Sequence, residues 1–258
     1  MPLNLIEGQY APGDPLCIDL AADDLTAAQD FYGRLFGWEF RDVDDHLWAL
    51  KGDRLAAGFG LFEALDLVGP RWWLVLAAPR LDELSNDADD AGLSVVGQVS
   101  LGELGQAAVV EDPAGAKAVL WEPRRLEPGV LGATHGGLVG SELVTPHPET
   151  VAPLYQRLFD LEAVTADDGS IILQRRELEV PRAIFGVVPA AGAAKASQVG
   201  ARWRPYLQVD GLDAFLLEAE RLGAQVADRR VTASRRATAV IIDPQGAELG
   251  VVEGKVST

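Results

Sequence analysis

Asp19 and Glu142 are the residues of this chain best suited to acid–base chemistry, and they lie 123 residues apart. A carboxyl group whose pKa is lifted by burial exchanges protons near neutral pH. The same two acids equally suit ion pairing with a base such as Lys117 or Arg204, which would hold the sheets together. Glu248 carries the same two readings. Trp48, Trp73, Trp121 and Tyr206 supply flat apolar surface in the same kind of segment. Aromatic ligands stack on such rings, and a cation sits on a tryptophan face. The chemistry on offer is therefore proton transfer, or recognition of an aromatic or cationic small molecule. Other chemistries lack their residues: there is no Gly-x-Ser-x-Gly elbow, no phosphate loop ending in Gly-Lys-Ser/Thr and no Cys-x-x-Cys pair. His46, His135 and His147 read as an exposed turn residue, a linker residue and a helix-start residue, not as a ligand cluster.

The step of 123 residues recurs, which shows that these acids belong to a repeat. Phe31 to Trp38 (FYGRLFGW) matches Leu154 to Leu161 (LYQRLFDL) at the same offset. A second match joins Glu111–Glu122 to Ile242–Glu253, 131 residues on, and Trp72 matches Trp203 at that offset. Both hairpin copies contain Asp-Pro-x-Gly, with Asp, Pro and Gly at the positions a tight turn favours. Two such hairpins, each closing a similar half, indicate internal duplication. Pro, Gly and Arg collect between Pro123 and Gly136, so the domains are expected at residues 1–126 and 127–258.

Each half reads as two modules. A strand at 15–22 leads to a helix capped by Asp23 or Asp24, with the stripe Leu25, Ala28, Phe31, Tyr32, Leu35 and Phe36 and a stop at Gly37. Three short strands follow, near 38–43, 46–50 and 55–62. The second module has a strand at 72–78, a helix with Leu81, Leu84, Ala88 and Ala91, and strands near 93–99, 107–111 and 116–122. The third repeats the plan from Leu138, with Pro148 in the first turn of its helix, where a missing N–H costs nothing. The fourth begins at Trp203, after an Ala/Gly-rich loop at 189–200, and its helix carries Leu212, Phe215, Leu216, Ala219 and Leu222.

Composition limits the partners. The 258-residue chain has a net charge of −17, which opposes nucleic acid and anionic membranes through like-charge repulsion. It serves solubility and is compatible with a cationic ligand. The Arg124-Arg125, Arg175-Arg176, Arg229-Arg230 and Arg235-Arg236 pairs are separated by acidic stretches and form no nucleic-acid track. No apolar run suits a bilayer span. Residues Met1 to Tyr10 lack a secretory pattern, and the single cysteine, Cys17, excludes an intrachain disulfide. A cytoplasmic protein is expected.

Asp19-Leu20 followed by Asp24, Phe31-Tyr32 with Leu35-Phe36-Gly37-Trp38, and both Asp-Pro-x-Gly hairpins resemble the vicinal oxygen chelate superfamily of glyoxalases, bleomycin-resistance proteins and ring-cleaving dioxygenases. The resemblance covers essentially the whole chain and is greatest to tandem glyoxalase-like proteins of actinobacteria, some labelled hydroxylases. It implies an α+β fold of four βαβββ modules, building two cup-shaped mixed sheets with a ligand or metal inside. Metal enzymes of this superfamily place ligands on cup-facing strand positions. Those positions here hold Cys17, about Trp73 and Val119 in the first half, and Gly140, about Arg204 and Gly250 in the second. Val, Gly and Trp donate nothing to a metal, and Arg repels it. Neither a metal nor another cofactor is therefore expected.

Strand alternation assigns Cys17, Asp19, Trp73, Lys117, Val119 and Trp121, with Trp48, to the first cup. Glu142, Arg204, Tyr206, Glu248, Gly250 and Val252 fall to the second. The reading this supports is a metal-independent protein that binds a small aromatic or cationic metabolite or antibiotic. The alternatives are an enzyme of secondary metabolism (lyase, isomerase or hydroxylase) with Asp19 and Glu142 as catalytic acid–base groups, or a metal-dependent enzyme of the glyoxalase or dioxygenase type. The duplication supplies internally the pairing that single-half relatives achieve as dimers, so a monomer or weak homodimer is expected.

Overall fold

A computed structural model describes residues 10–43, 46–61, 69–124, 134–176, 182–190, 200–231 and 236–254. The linker expected near 123–136, with the domain boundary in it, and the loop at 189–200 lie mostly outside these.

The expected modules all form. The first contains β1 (Pro15–Ala21), α1 (Leu25–Phe36), β2 (Glu39–Val43), β3 (His46–Lys51) and β4 (Arg54–Phe59). The second contains β5 (Arg71–Ala77), α2 (Leu81–Ala91), β6 (Ser94–Ser100), β7 (Gly105–Glu111) and β8 (Lys117–Pro123). The third has β9 (Leu138–Thr145), α3 (Pro148–Phe159), β10 (Glu162–Thr165), β11 (Ile171–Arg175) and β12 (Arg182–Pro189). The fourth has β13 (Arg202–Val209), α4 (Leu212–Arg221), β14 (Gln225–Val231), β15 (Ala237–Ile242) and β16 (Glu248–Glu253). Asp24 caps α1, accepting from the Ala27 amide at 2.9 Å, and Gly37 ends it in the left-handed region. Asp160 takes that left-handed place after α3 at φ 51°, a conformation Asp tolerates better than most side chains.

The strands form two eight-stranded mixed sheets, with orders β2-β3-β4-β1-β5-β8-β7-β6 and β10-β11-β12-β9-β13-β16-β15-β14. The identical orders are the structural counterpart of the sequence repeat, so the fold is α+β with four βαβββ modules. By proximity the chain also falls into two compact units: residues 1–16, 74–126 and 140–204 in one, and 17–73, 127–139 and 205–258 in the other. Each unit therefore pairs modules from different halves, the second with the third and the first with the fourth.

The repeated aromatics explain this pairing. In one unit the Tyr32 hydroxyl donates to Asp243 at 2.8 Å and accepts from Trp72 Nε1 at 2.9 Å. The other oxygen of Asp243 accepts the Gln245 and Ala247 amides at 2.9 and 2.8 Å, closing the hairpin. In the other unit Tyr155 donates to Asp112 at 3.4 Å, and Asp112 accepts the Ala114 and Ala116 amides at 2.9 and 3.0 Å. The Trp203 ring stands edge-on to Tyr155 at 5.4 Å. Each hairpin aspartate therefore does two jobs, fixing its own turn and receiving a buried tyrosine from the other half. Burial, then the neighbouring aspartate, pushes both phenols above their usual pKa.

Candidate functional site

The helices cover one face of their strands, and the predicted acids lie on the other. Phe59 of β4 meets Tyr32 of α1, with ring centroids 6.1 Å apart, and strand alternation turns Gly58 to the opposite face. Asp19 on β1 is in register with Gly58, and Gly58 with Trp48 on β3. A row Asp19, Gly58, Trp48 thus crosses the helix-free face. It is closed: Asp19 and Trp48 are each 1% exposed. A Cβ on Gly58 would lie 2.5 Å from Asp19 Oδ1 and 3.4 Å from the Trp48 ring, so the glycine makes the space that these two fill. Asp19 Oδ1 accepts the Leu61 amide at 3.2 Å. Cys17, on the same face of β1, is buried, and that burial, with the Asp19 charge, drives its thiol far above the ordinary range. It is therefore a neutral thiol and a small hydrophobe. Trp73 is buried under the Arg71 guanidinium, 5.1 Å from the ring centre. His46, expected to be exposed, is half-buried because its ring stands edge-on to Trp48 at 6.4 Å.

The same row recurs around Glu142 with a different outcome. Phe185 of β12 meets Tyr155 of α3 at 5.8 Å, which turns Gly186 to the helix-free face. Glu142 is in register with Gly186, Gly186 with Ile172, and Ile172 with Val164. Here the row is open. Ile172 and Val164 are 37% and 45% exposed, and a Cβ on Gly186 would meet nothing closer than 3.8 Å. The Glu142 side chain is 23% exposed and faces Arg204 of β13, 10% exposed, at 3.6 Å. The described face thus holds a mostly buried guanidinium paired with a reachable carboxylate, with exposed Ile172 and Val164 two and three strands away.

The remaining predicted residues fall elsewhere. Lys117 pairs with Glu111 across the β7–β8 hairpin at 3.3 Å. Trp121 is buried in β8. The Tyr206 ring lies directly over Gly250: a Cβ there would be 2.6 Å from ring carbons, so only glycine fits. The Tyr206 hydroxyl accepts from Arg230 at 2.9 Å. Glu248 is half-buried at the start of β16, on the face of Gly250 by alternation. His135 is consumed structurally: its Nδ1 accepts the Asp210 amide at 3.1 Å, so Nε2 carries the proton and donates to Leu35 O at 3.3 Å.

Sequence reasoning missed Gly58, Gly186, Ile172 and Val164. A signal existed in the glycine that each half places in its fourth strand, but only register shows that it faces the acid.

No protein-family model matches the chain. Among curated proteins it is 27% identical to CFP32 of Mycobacterium tuberculosis, named as a candidate glyoxylase, covering 95% of this chain and 96% of that protein. It is 28% identical to the anthracycline biosynthesis protein DauV of Streptomyces sp. strain C5, covering 95% and 94%. Among solved structures, the Mn(II)-bound glyoxalase of Novosphingobium aromaticivorans superposes with a TM-score of 0.64 at 13% identity, covering 94% of this chain and 82% of that one. The 2,3-dioxygenase LapB of Pseudomonas sp. KL28 gives 0.60 at 15% identity, covering 93% and 92%. The chain is thus similar over nearly its full length to CFP32 and DauV, and it shares the fold of these glyoxalase and dioxygenase structures.

The Mn(II)-bound glyoxalase raises the question of whether the described residues here fit a metal. Among the described residues, no group of three or more His, Cys, Asp or Glu is placed to hold an ion. Of the expected ligand positions, Cys17 is a neutral buried thiol, Trp73 lies under a guanidinium and Gly250 lies under a ring. Arg204 brings a positive charge of its own. These residues do not fit a divalent metal. No helix among the described residues is long and apolar enough to cross a membrane.

Proposed function

We propose that the chain binds a small, planar, largely apolar organic molecule on the helix-free face around Glu142 and Arg204, and that it does so without a catalytic metal. The observation that carries this reading is the open row: the Glu142–Arg204 pair at 3.6 Å beside exposed Ile172 and Val164. Apolar area supplies the affinity of such a site, and a few placed polar groups fix orientation. The anthracycline biosynthesis relatives support a planar ligand from secondary metabolism. The Asp19 row is the same device filled from within by Trp48.

The test is a fluorescence and thermal-shift titration with an anthracycline, using purified chain whose metal content is measured after exposure to Mn, Fe, Zn and Ni salts. Saturable quenching and a raised Tm, with well under about one equivalent of metal retained, are expected. A tightly held equivalent of metal would sink the metal-free reading. No binding in either assay would remove the proposed site.

An enzymatic reading rests on one further observation, that solvent reaches Glu142 while Asp19 is sealed. Glu142 would take a proton from a bound ligand while Arg204 stabilises the charge left behind. Turnover would appear as a product of new mass that is lost in Glu142→Gln and retained in Asp19→Asn. Unchanged ligand at stoichiometric binding would leave sequestration as the function. A monomer or weak dimer is part of the same proposal and is checked by sedimentation.

A further inference from the structure

The fourth module places on β13, facing Glu142, Arg204, a side chain that is itself a cation. Its guanidinium is largely buried and faces Glu142 at 3.6 Å, longer than the 2.7–2.9 Å or so typical of tight charge-assisted bonds. A charge held away from water acts far more strongly on a neighbouring oxygen than the same charge in solvent. A planar, delocalised guanidinium also tolerates burial better than an ammonium and presents its donors in a rigid fork. Exposed Ile172 and Val164, two and three strands from Glu142 on the same face, supply apolar surface along which a long flat ring system would lie. The Glu142 carboxylate beside it offsets part of the desolvation cost of the buried cation.

Resting on the planar-ligand reading above, we propose that Arg204 is a resident cation standing in for a metal, and that it anchors an acidic hydroxyl or enol oxygen of the ligand as its anion. The favoured ligands are flat molecules with an ionisable oxygen on one edge, such as hydroxyquinones. Flat cations are not favoured, in spite of the acidic charge of the whole chain.

The experiment compares 1,2-dihydroxyanthraquinone with its dimethyl ether, which has the same ring system but no ionisable oxygen. Both are titrated against the full chain by tryptophan quenching, with excess EDTA and again with added Mn(II). The parent protein is expected to prefer the dihydroxy compound by about tenfold or more with EDTA present, a ratio within the reach of one charge-assisted contact. Arg204→Gln should erase the preference, and Arg204→Lys should retain part of it. Glu142→Gln, which keeps the cation, should preserve or increase it and so remains informative if Arg204→Gln fails to fold. Equal binding of the two quinones by the parent, a preference that survives in Arg204→Gln, or one that vanishes in Glu142→Gln would overturn the anchor while leaving a planar-ligand site in place. A preference that appears only with Mn(II) would overturn it in favour of a bound metal. Binding of neither quinone by the folded parent would overturn both the anchor and the site.

Discussion

Asp19 and Glu142 stand at equivalent points of the first and third modules, one in each sheet, and their surroundings differ. Each acid is in register with a glycine, and each glycine with one large apolar side chain. In the first half that side chain is Trp48, whose ring lies close over the glycine, and both it and Asp19 are 1% exposed. In the second it is Ile172, too short to do so, and Glu142 stays in reach of solvent beside Arg204. A repeated carboxylate is thus structural in one setting and available in the other. The lesson concerns how function is distributed after duplication. The fold preserves the position, and its neighbours decide whether it is sealed or open to solvent.

The largest expected effect breaks the sealed side. Trp48→Ala should cost about 3–5 kcal/mol of unfolding free energy, the usual loss for truncating a buried indole. Ile172→Ala should change stability by about 1 kcal/mol or less, since a partly exposed side chain leaves little cavity. Urea denaturation measures both. Similar losses would mean that the two rows are equally packed, and the contrast would be lost.

The glycines sharpen the contrast without removing any contact. Gly58→Ala drives a methyl to 2.5 Å from Asp19 Oδ1, with the Trp48 ring close behind. Neither neighbour has room to move, and overpacking of this kind costs about 1–3 kcal/mol. Gly186→Ala meets nothing within 3.8 Å. It should be neutral or stabilising by up to about 1 kcal/mol, because alanine loses less backbone entropy on folding. Paired thermal melts decide it, and a Gly186→Ala variant as damaged as Gly58→Ala would refute the open row.

Much of this architecture was legible in the chain. Strand alternation, the amphipathic stripe from Leu25 to Phe36, the Asp24 cap and the two hairpins all express periods of two to seven residues, and local pattern carries them. What escaped depends on distance through space. Nothing in the segment around Asp243 announces that it receives a hydroxyl from Tyr32, 211 positions away. Nothing near Asp19 says that Trp48 closes over it, because the strands between them set the register through turns of unpredictable length. The pairing of Glu142 with Arg204 was among the options that residue types allowed, but the exposed shelf beside it depends on Ile172 and Val164 facing the same way.

The hairpin aspartates offer the finest version of the comparison. The Tyr32–Asp243 bond, at 2.8 Å, is tighter than the Tyr155–Asp112 bond, at 3.4 Å. Tyr32→Phe should therefore cost about 1–3 kcal/mol, as expected for leaving a buried acceptor unsatisfied, and Tyr155→Phe should cost less.

Asp112 adds a dependence on pH whose sign is fixed by its surroundings. Burial raises its carboxyl above the ordinary value of 3.8, and the Ala116, Ala114 and Tyr155 hydrogen bonds offset this only in part. The folded chain therefore holds a proton on Asp112 at a pH where the unfolded chain has lost it. Protons bound more tightly by the folded state mean that stability falls as pH rises. The contribution is fully present below 3.8 and disappears as pH climbs through the raised folded value. Asp112→Asn keeps an oxygen for the Ala114 and Ala116 amides but cannot titrate. The stability of the parent relative to this variant should thus decrease from acid toward neutral pH and then level off, as measured by denaturant unfolding at a series of pH values. A gap that widens in favour of the parent over that range would show that the charged form is the one the fold prefers. In that case the hairpin amides and Tyr155, rather than burial, would govern the aspartate.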